Sequence, residues 1–216
     1  MSRKLTVVSV SMAYELRRVK SRSENHRYAE KVFKETKTLN PDVIVFPEVY
    51  ALAGLEGRAA RRKICPDDLT VLLALAREHR VWTIGSLYRS TRKGIFNSAV
   101  LISPEGKLWA TYDKVHPTET ELIDGVQPGF PDQKPIKTPW ATLGLQICFD
   151  ANWSEDWKRL VSAGAEIIFF PSAFPGGSIL TSIATLNHTF VVPAVWSLHS
   201  GVINNTGQWV VQTDRF

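Results

Sequence analysis

Short apolar runs alternate with amphipathic segments along the chain, and their spacing predicts alternating strands and helices. The runs at 43–46 and 81–88 are rich in β-forming residues, as strands of a buried sheet are. The segment 23–36 carries apolar residues at helical spacing, and Pro66-Asp67-Asp68 suits the start of a second helix over 69–78. Further strands are expected over 5–10, 98–103, 107–112, 142–147, 166–170, 190–196, 202–204 and 208–212, and further helices over 154–163 and 178–188.

Two turn signals indicate β-hairpins, one in each half of the chain. Pro104-Glu105-Gly106 separates the strands 98–103 and 107–112, and Asn205-Thr206-Gly207 separates 202–204 and 208–212. This repetition hints at two related halves. No linker or shift in composition interrupts the alternation, so residues 1–216 are expected to form a single α/β or α+β domain with helices covering sheets. Pro171 is expected to end the strand 166–170.

The composition is that of an ordinary globular protein of 216 residues, with 44% hydrophobic and 22% charged residues. A chain of this length buries enough surface to fold without a disulfide or a metal. The net charge of +5 is modest, and two basic clusters fit solvated helix faces better than a nucleic-acid surface. We therefore expect no nucleic-acid partner. The clusters are Arg17, Arg18, Lys20 and Arg22, and Arg58, Arg61, Arg62 and Lys63.

The sequence indicates a cytoplasmic protein with no membrane partner. Its two cysteines, Cys65 and Cys148, fit a reducing compartment. The N-terminal segment is charged and only briefly apolar, unlike a signal peptide, and no apolar run approaches the ~20 residues needed to cross a bilayer. The five histidines are scattered without the spacing of zinc ligands, so no metal is expected.

Three polar residues each follow an apolar strand, at the edge of the sheet where sites assemble in layered α/β folds. They are Glu48, Lys114 and Cys148. Taken singly, each has an ordinary explanation: a loop glutamate, a surface lysine beside Asp113 and a core cysteine. Taken together, they form a complete set for acyl transfer. The carboxylate takes the thiol proton, giving a thiolate at neutral pH, and the ammonium stabilises an oxyanion on the substrate carbonyl.

The segments around these residues resemble the three signature blocks of the nitrilase superfamily, the carbon–nitrogen hydrolases, in the family's order. The resemblance implies a four-layer αββα sandwich and a Glu-Lys-Cys triad without a metal or an organic cofactor. In this triad Glu48 is the general base, Lys114 stabilises the tetrahedral intermediate and Cys148 is the nucleophile. The three segments are Val-Ile-Val-Phe-Pro-Glu48, Tyr112-Asp-Lys114-Val-His116 and Leu-Gly-Leu-Gln-Ile-Cys148-Phe-Asp150, and the likeness continues through 163–173 and 184–192.

The resemblance also implies an accessory glutamate that positions the substrate and the lysine. Glu121 is the candidate, with Glu119 as its competitor. The backbone N–H of Phe149 is expected to be a second oxyanion donor. Four further residues are candidates to line the substrate pocket, although core packing explains each of them equally well. They are Tyr50, His116, Trp153 and Phe174.

The branch of the family is indicated by the residues that follow the nucleophile. True nitrilases of the superfamily usually carry Trp-Glu there, whereas this chain carries Phe149-Asp150. The difference favours an amidase or an N-carbamoyl amide hydrolase, which releases ammonia or an amine through a thioester, over nitrile hydrolysis. The substrate is expected to be a small amide.

Family members usually continue past the second hairpin, whereas this chain stops at Phe216, so the usual C-terminal tail is expected to be lacking. A homodimer or a higher homo-oligomer is expected by resemblance. A non-catalytic binding protein with the same fold is the principal alternative, and a nucleic-acid binder is a third. Cys65 is expected to be a bystander, because no acid–lysine pair surrounds it in the sequence.

Overall fold

The computed structural model describes residues 4–13, 19–55 and 64–213. The first half of the chain forms five strands and two long helices. They are β1 (Val7–Ser9), α1 (Arg22–Thr36), β2 (Val43–Val45), α2 (Pro66–His79), β3 (Trp82–Thr91), β4 (Gly94–Ile102) and β5 (Leu108–Asp113). The second half begins with a short helix that the sequence did not predict, α3 (Glu119–Ile123). It continues with β6 (Ile136–Lys137), β7 (Thr142–Leu145), α4 (Ser154–Ser162), β8 (Ile167–Ser172), α5 (Gly177–Asn187), β9 (Phe190–Val195), β10 (Gly201–Ile203) and β11 (Trp209–Gln212).

The strands form two sheets with the same internal topology. The first has the order β1-β2-β3-β4-β5, in which β1, β2 and β3 are parallel and β3, β4 and β5 are antiparallel. The second repeats this pattern over β7-β8-β9-β10-β11 and adds β6 antiparallel to the edge of β7. The two predicted hairpins, β4–β5 and β10–β11, form the last two strands of this repeated order in their sheets. The repeated topology supports the expectation of two related halves.

The two sheets pack face to face, and helices cover their outer faces. Successive residues along each strand point in turn to the core between the sheets and to the core beneath the helices, as strand geometry requires. In β2, Val43 and Val45 face the second sheet while Ile44 faces α1 and α2; in β8, Ile167 and Phe169 face the first sheet. Ile168 and Phe170 of β8 pack instead against Trp157, Leu160, Leu180 and Ile183 of α4 and α5. The fold is therefore the predicted four-layer αββα sandwich.

The predicted end of β8 was wrong, because the strand continues through Pro171 to Ser172. The strands predicted over 81–88 and 98–103 are also longer, since β3 runs to Thr91 and β4 begins at Gly94. Pro171 pairs with Ala194 of β9, while the pairing of β8 with β7 ends at Phe169. Proline removes one backbone donor, and here that donor would face a side where no neighbouring strand remains.

Most of the basic clusters, namely Arg17, Arg18, Arg58, Arg61, Arg62 and Lys63, lie outside the described residues. Of the remainder, Arg22 donates to Asp68 at 2.7 Å and so ties α1 to α2. Among the described helices, none combines the length and the apolar character that a membrane span requires.

Candidate active site

The structure brings the three predicted residues together at one edge of the sandwich. Glu48 lies just beyond β2, Lys114 follows β5 and Cys148 begins a short 3-10 turn after β7. All three side chains are buried, with exposed fractions of 5%, 1% and 9%. The lysine Nζ lies 2.8 Å from Oε1 of Glu48. A shared sheet edge was predictable from the strand pattern, whereas this distance was not.

Lys114 is held between two carboxylates. Its Nζ also donates to Oε2 of Glu121 at 2.7 Å, while Glu119 is exposed to solvent. Glu121 occupies this position because it closes a capping box with Thr118 at the start of α3. Burial alone would lower the pKa of Lys114, but Glu48 and Glu121 hold the pKa above its ordinary value. Lys114 is therefore a permanent cation.

Asn97 of β4 links the same two glutamates and was missed in the sequence. Its Nδ2 donates to Oε1 of Glu48 and to Oε1 of Glu121, each at 2.7 Å. Its Oδ1 accepts a hydrogen bond from Ser86 of β3 at 2.9 Å. Asn97 is fully buried, and the sequence signal that marks it is a carboxamide within the strand Gly94–Ile102, whose residues apart from Asn97 and Ser98 are apolar or glycine.

The turn that carries Cys148 is organised by a second residue that was missed, Asp150. Its carboxylate accepts hydrogen bonds from Ile147 N at 2.9 Å, His116 N at 2.9 Å and the Tyr112 hydroxyl at 2.8 Å. Asp150 is fully buried, and burial raises its pKa to about 6 although these donors oppose the rise. The carboxylate thus fixes the nucleophile's turn to the chain that follows Lys114.

Two residues of the site hold left-handed backbone conformations that disfavour L side chains. The φ of Cys148 is 46° and that of Val49, directly after Glu48, is 38°. Each such conformation costs on the order of 1–3 kcal/mol and persists only where surrounding contacts impose it. Ser86 Oγ accepts the N–H of Val49 at 3.1 Å, which supplies one of those contacts.

The surroundings of the Cys148 thiol oppose the thiolate that the sequence led us to expect at neutral pH. Burial, followed by the negative charge of Glu48, raises the pKa of the Cys148 thiol to about 12 against the opposing effect of Lys114. Glu48, Glu121 and Lys114 together carry one net negative charge, so a thiolate would add a second.

Aromatic residues cluster along the segment that follows Cys148 in the chain. The ring of His116 stacks on Trp153 with centroids 3.8 Å apart, and its Nε2 lies 2.7 Å from Asp156. Phe149 meets Trp153 edge-on at 5.2 Å, and both side chains are 38% exposed. The backbone N–H of Phe149 has no acceptor within the described ranges.

Phe174 and Tyr50 are placed differently. Phe174 is partly buried against the cores around both faces of the second sheet, and its backbone is tied to Ser172 Oγ. Tyr50 is fully buried between α1, α2 and β2, and its hydroxyl donates to the carbonyl of Asp68 at 2.7 Å. The structure therefore places Tyr50 in the core of the first half and away from Cys148.

No group of three or more histidine, cysteine or acidic residues suited to a metal ion occurs within residues 4–13, 19–55 and 64–213. Cys65 is a free, half-buried thiol at the N-terminal cap of α2.

An αββα sandwich with a thiol, a lysine and a carboxylate at one edge defines the class of carbon–nitrogen hydrolases of the nitrilase superfamily. The model of the carbon-nitrogen hydrolase family matches residues 6–216. The chain belongs to this family.

Curated relatives include deaminated glutathione amidase of Rattus norvegicus, 29% identical over 172 residues that cover 71% of this chain and 52% of that protein. The nitrilase and fragile histidine triad fusion protein NitFhit of Drosophila melanogaster is 28% identical over 74% of this chain and 37% of its own length. The chain thus spans about half or less of the length of these relatives.

Solved structures show the same fold. The carbon-nitrogen hydrolase from Helicobacter pylori has a TM-score of 0.80 at 19% identity, covering 97% of this chain and 85% of its own. An amidase from Nesterenkonia sp. has a TM-score of 0.78 at 18% identity, covering 96% and 85%.

Proposed function

We propose that this protein hydrolyses the carbon–nitrogen bond of a small amide or N-carbamoyl amide through a cysteine thioester. The observation that carries the proposal is a buried lysine held at 2.8 and 2.7 Å by two carboxylates, one of which, Glu48, lies close enough to the buried Cys148 thiol to raise its pKa. Burying these charges is costly unless they are paired, and as a set they fit acyl transfer. The same set serves nitrile hydrolysis, which stays as the second candidate.

The first half of the reaction forms the thioester. Glu48 takes the thiol proton as the sulfur of Cys148 attacks the carbonyl carbon, which avoids a free thiolate whose pKa is about 12. The negative charge that develops on the carbonyl oxygen is stabilised by the ammonium of Lys114 and by the backbone N–H of Phe149. Glu48 then returns the proton to the leaving nitrogen, the carbon–nitrogen bond breaks, and ammonia or an amine departs.

The second half releases the acid. Water attacks the thioester carbonyl while Glu48 accepts one of its protons, and that proton passes to the departing sulfur. Glu121 remains ionised throughout: burial would raise its pKa, but Lys114 and hydrogen bonds from Lys114, Thr118 and Asn97 lower it. Its role is to hold the ammonium at the oxyanion position while Glu48 cycles between its two protonation states.

The substrate side is proposed from the exposed aromatic residues beside the nucleophile. Phe149 and Trp153 present ring surface next to Cys148, and His116 supports Trp153 from behind. Phe174 follows Ser172, whose hydroxyl donates to the Phe174 carbonyl at 2.6 Å and accepts the Phe174 backbone N–H at 3.1 Å. Exposed aromatic rings of this kind suit a small acyl group with apolar surface. The Nesterenkonia amidase has been captured with butyramide, and one of its glutamine mutants carries acrylamide added to the active-site cysteine.

We also propose a cytoplasmic homo-oligomer that binds neither nucleic acid nor membrane. Both cysteines are free thiols, which fits a reducing compartment. Several large apolar side chains are exposed in the second half, which favours self-association. They are Ile179, Leu186, Phe190, Val210 and Val211. Light scattering coupled to size-exclusion chromatography tests the oligomer.

Ammonia release over a panel of aliphatic amides, ω-amides, N-carbamoyl compounds and nitriles tests the reaction. Cys148→Ala is expected to abolish release, and Cys65→Ala, the matched control, is expected to leave it intact. Release that survives in Cys148→Ala would contradict the proposal. If the folded wild-type protein releases no ammonia from any compound of the panel, a non-catalytic protein would be favoured. The retained triad, with Lys114 bonded to Glu48, does not support that alternative.

A further inference from the structure

We propose that Asn97 is a positioning residue that fixes which oxygen of Glu48 receives the thiol proton, directing the transfer to Oε2. The inference rests on the proposed function, because it concerns the general base of that reaction. It assigns a role to a carboxamide that touches neither the thiol nor the proposed substrate position.

The carboxamide has one orientation. Its two N–H groups point to Oε1 of Glu48 and Oε1 of Glu121, each at 2.7 Å. Its Oδ1 accepts from Ser86 Oγ at 2.9 Å, and that hydroxyl in turn accepts the N–H of Val49 at 3.1 Å. Since carboxylates only accept hydrogen bonds, a flipped amide would set its oxygen against two carboxylates. The chain of bonds runs from the strained backbone after Glu48 back to the Glu48 carboxylate.

Counting donors at Glu48 identifies the free position. Oε1 accepts from Lys114 Nζ at 2.8 Å and from Asn97 Nδ2 at 2.7 Å, which fills both of its in-plane lone pairs. Oε2 accepts only the backbone N–H of Ala173, at 3.0 Å, within the described part of the chain. One lone pair of Oε2 is therefore left for the thiol. Without Asn97, Oε1 would also be open and the proton could settle on the side that faces Lys114.

Asn97 also suits the charge of the site. Two glutamates and one lysine leave a net charge of −1, and a neutral double donor stabilises both carboxylates without neutralising the base. A lysine at this position would pair with Glu48 and weaken it as a proton acceptor, whereas an aspartate would add a third carboxylate and lose a donor.

The test is the pH profile of kcat/KM for Asn97→Leu. The smaller substitution Asn97→Ser is used if the leucine variant does not fold. Loss of the donor makes the ionised form of Glu48 less favourable, so the acid limb is expected to move to higher pH. The value of kcat is expected to fall roughly 10- to 100-fold, since general-base catalysis contributes about 10²–10⁴-fold, with KM changed less than about threefold. A folded variant whose acid limb and kcat match the wild type would overturn the inference.

Asn25→Leu is the matched control for loss of a buried carboxamide. Asn25 is also fully buried, and its Nδ2 donates to the carbonyls of Ala51 and Ala53 at 3.0 and 2.9 Å rather than to a carboxylate. This variant is expected to lose stability but to keep the acid limb of the wild type. An equal shift of the acid limb in Asn25→Leu would show that the pH profile responds to any loss of stability, and this would overturn the inference.

A readout without turnover separates this inference from the proposed function. Carbon-13 NMR of labelled glutamate carboxyls, with the signal assigned through Glu48→Gln, follows the titration of Glu48 directly. An upward shift of its midpoint in the Asn97 variants supports the positioning role even if no amide in the panel is hydrolysed. An unchanged midpoint overturns the role even if the wild type is an active amidase.

Discussion

Replacing Glu48 by glutamine is expected to lower turnover and, at the same time, to make the Cys148 thiol more acidic. Glutamine keeps the shape of the side chain but removes its negative charge and its ability to take a proton. In the wild type the groups around the thiol sum to −1, and burial together with Glu48 raises the pKa of Cys148 to about 12. In Glu48→Gln only the Lys114–Glu121 pair remains, and its charges cancel.

The size of the shift follows from the contact between the two groups. A unit charge at hydrogen-bonding range, ~4 Å, contributes at most about 4 kcal/mol at an effective dielectric constant of about 20. At about 1.4 kcal/mol per unit this corresponds to a fall of up to about 3 pKa units, from about 12 to about 9. The thiolate fraction at pH 8 then rises from about one in ten thousand to about one in ten. Turnover falls by about 10²–10⁴-fold because the general base is lost.

The assay is the pH dependence of alkylation by iodoacetamide in a Cys65→Ser background, so that Cys148 is the only cysteine. The alkylation rate of the parent is expected to keep rising above pH 10, whereas that of Glu48→Gln should level off at lower pH. Ammonia release by the same preparations gives the change in turnover. An alkylation midpoint that stays in place or moves upward in Glu48→Gln would refute the electrostatic argument.

Three further substitutions test the surroundings of the triad. Lys114→Met leaves two buried carboxylates without their cation and is expected to cost about 3–5 kcal/mol of unfolding free energy in urea at pH 7, and less at pH 4.5; an equal cost at both pH values would contradict this. A Cβ on Gly129 would lie 2.1 Å from the carbonyl oxygen of Asp113, so Gly129→Ala should displace the end of β5, lower turnover more than about tenfold and cost roughly 1–3 kcal/mol; full activity would show that the strand end can shift harmlessly. Burial raises the pKa of Asp150 to about 6 from 3.8, so the stability it contributes is full below about pH 4 and is lost as pH rises through 6. In urea titrations the stability of the wild type relative to Asp150→Asn should therefore fall by up to about 3 kcal/mol between pH 4 and 7, and a relative stability that rises with pH would contradict the assignment.

Much of the architecture was predictable because both faces of each sheet are covered. Continuous apolar runs such as 43–46 are typical of strands buried on two sides, which predicted sheets covered by helices, whereas the second sheet of the sandwich was implied by the family resemblance. The bounds of α1 and α2 differ from their predicted starts and ends by a few residues at most. Pro171 misled because the loss of a backbone donor matters only where a neighbouring strand is present to receive it.

The candidate site was predictable only in part. Glu48, Lys114 and Cys148 stand out because each polar group directly follows an apolar strand. A carboxamide inside a mostly apolar strand draws attention to Asn97, but nothing local shows that it meets two glutamates. Nothing local shows either that the carboxylate of Asp150 holds the turn of the nucleophile.

Glu121 and Tyr50 also show that the sequence alone does not decide which side chains reach the site. Glu121 could be separated from Glu119 only once the five-residue helix α3 was in place, because its rotation decides which of the two reaches the lysine. Tyr50 follows Glu48 by two residues, yet its ring packs under α1 and α2. Proximity in sequence to a functional residue does not decide which side of the sheet a side chain occupies.

The sequence by itself determined which faces of the strands and helices are buried, because the spacing of apolar residues dictates those faces. It also determined the edge at which the candidate site lies, because the polar residues of the site directly follow apolar strands. The tertiary structure alone decided the electrostatic surroundings of the nucleophile. Whether Cys148 rests as a thiol depends on how deeply it is buried and on the summed charge of Glu48, Lys114 and Glu121, which come from separate elements. Such sums depend on distances of a few ångströms between residues far apart in the chain, and only the folded arrangement sets those distances.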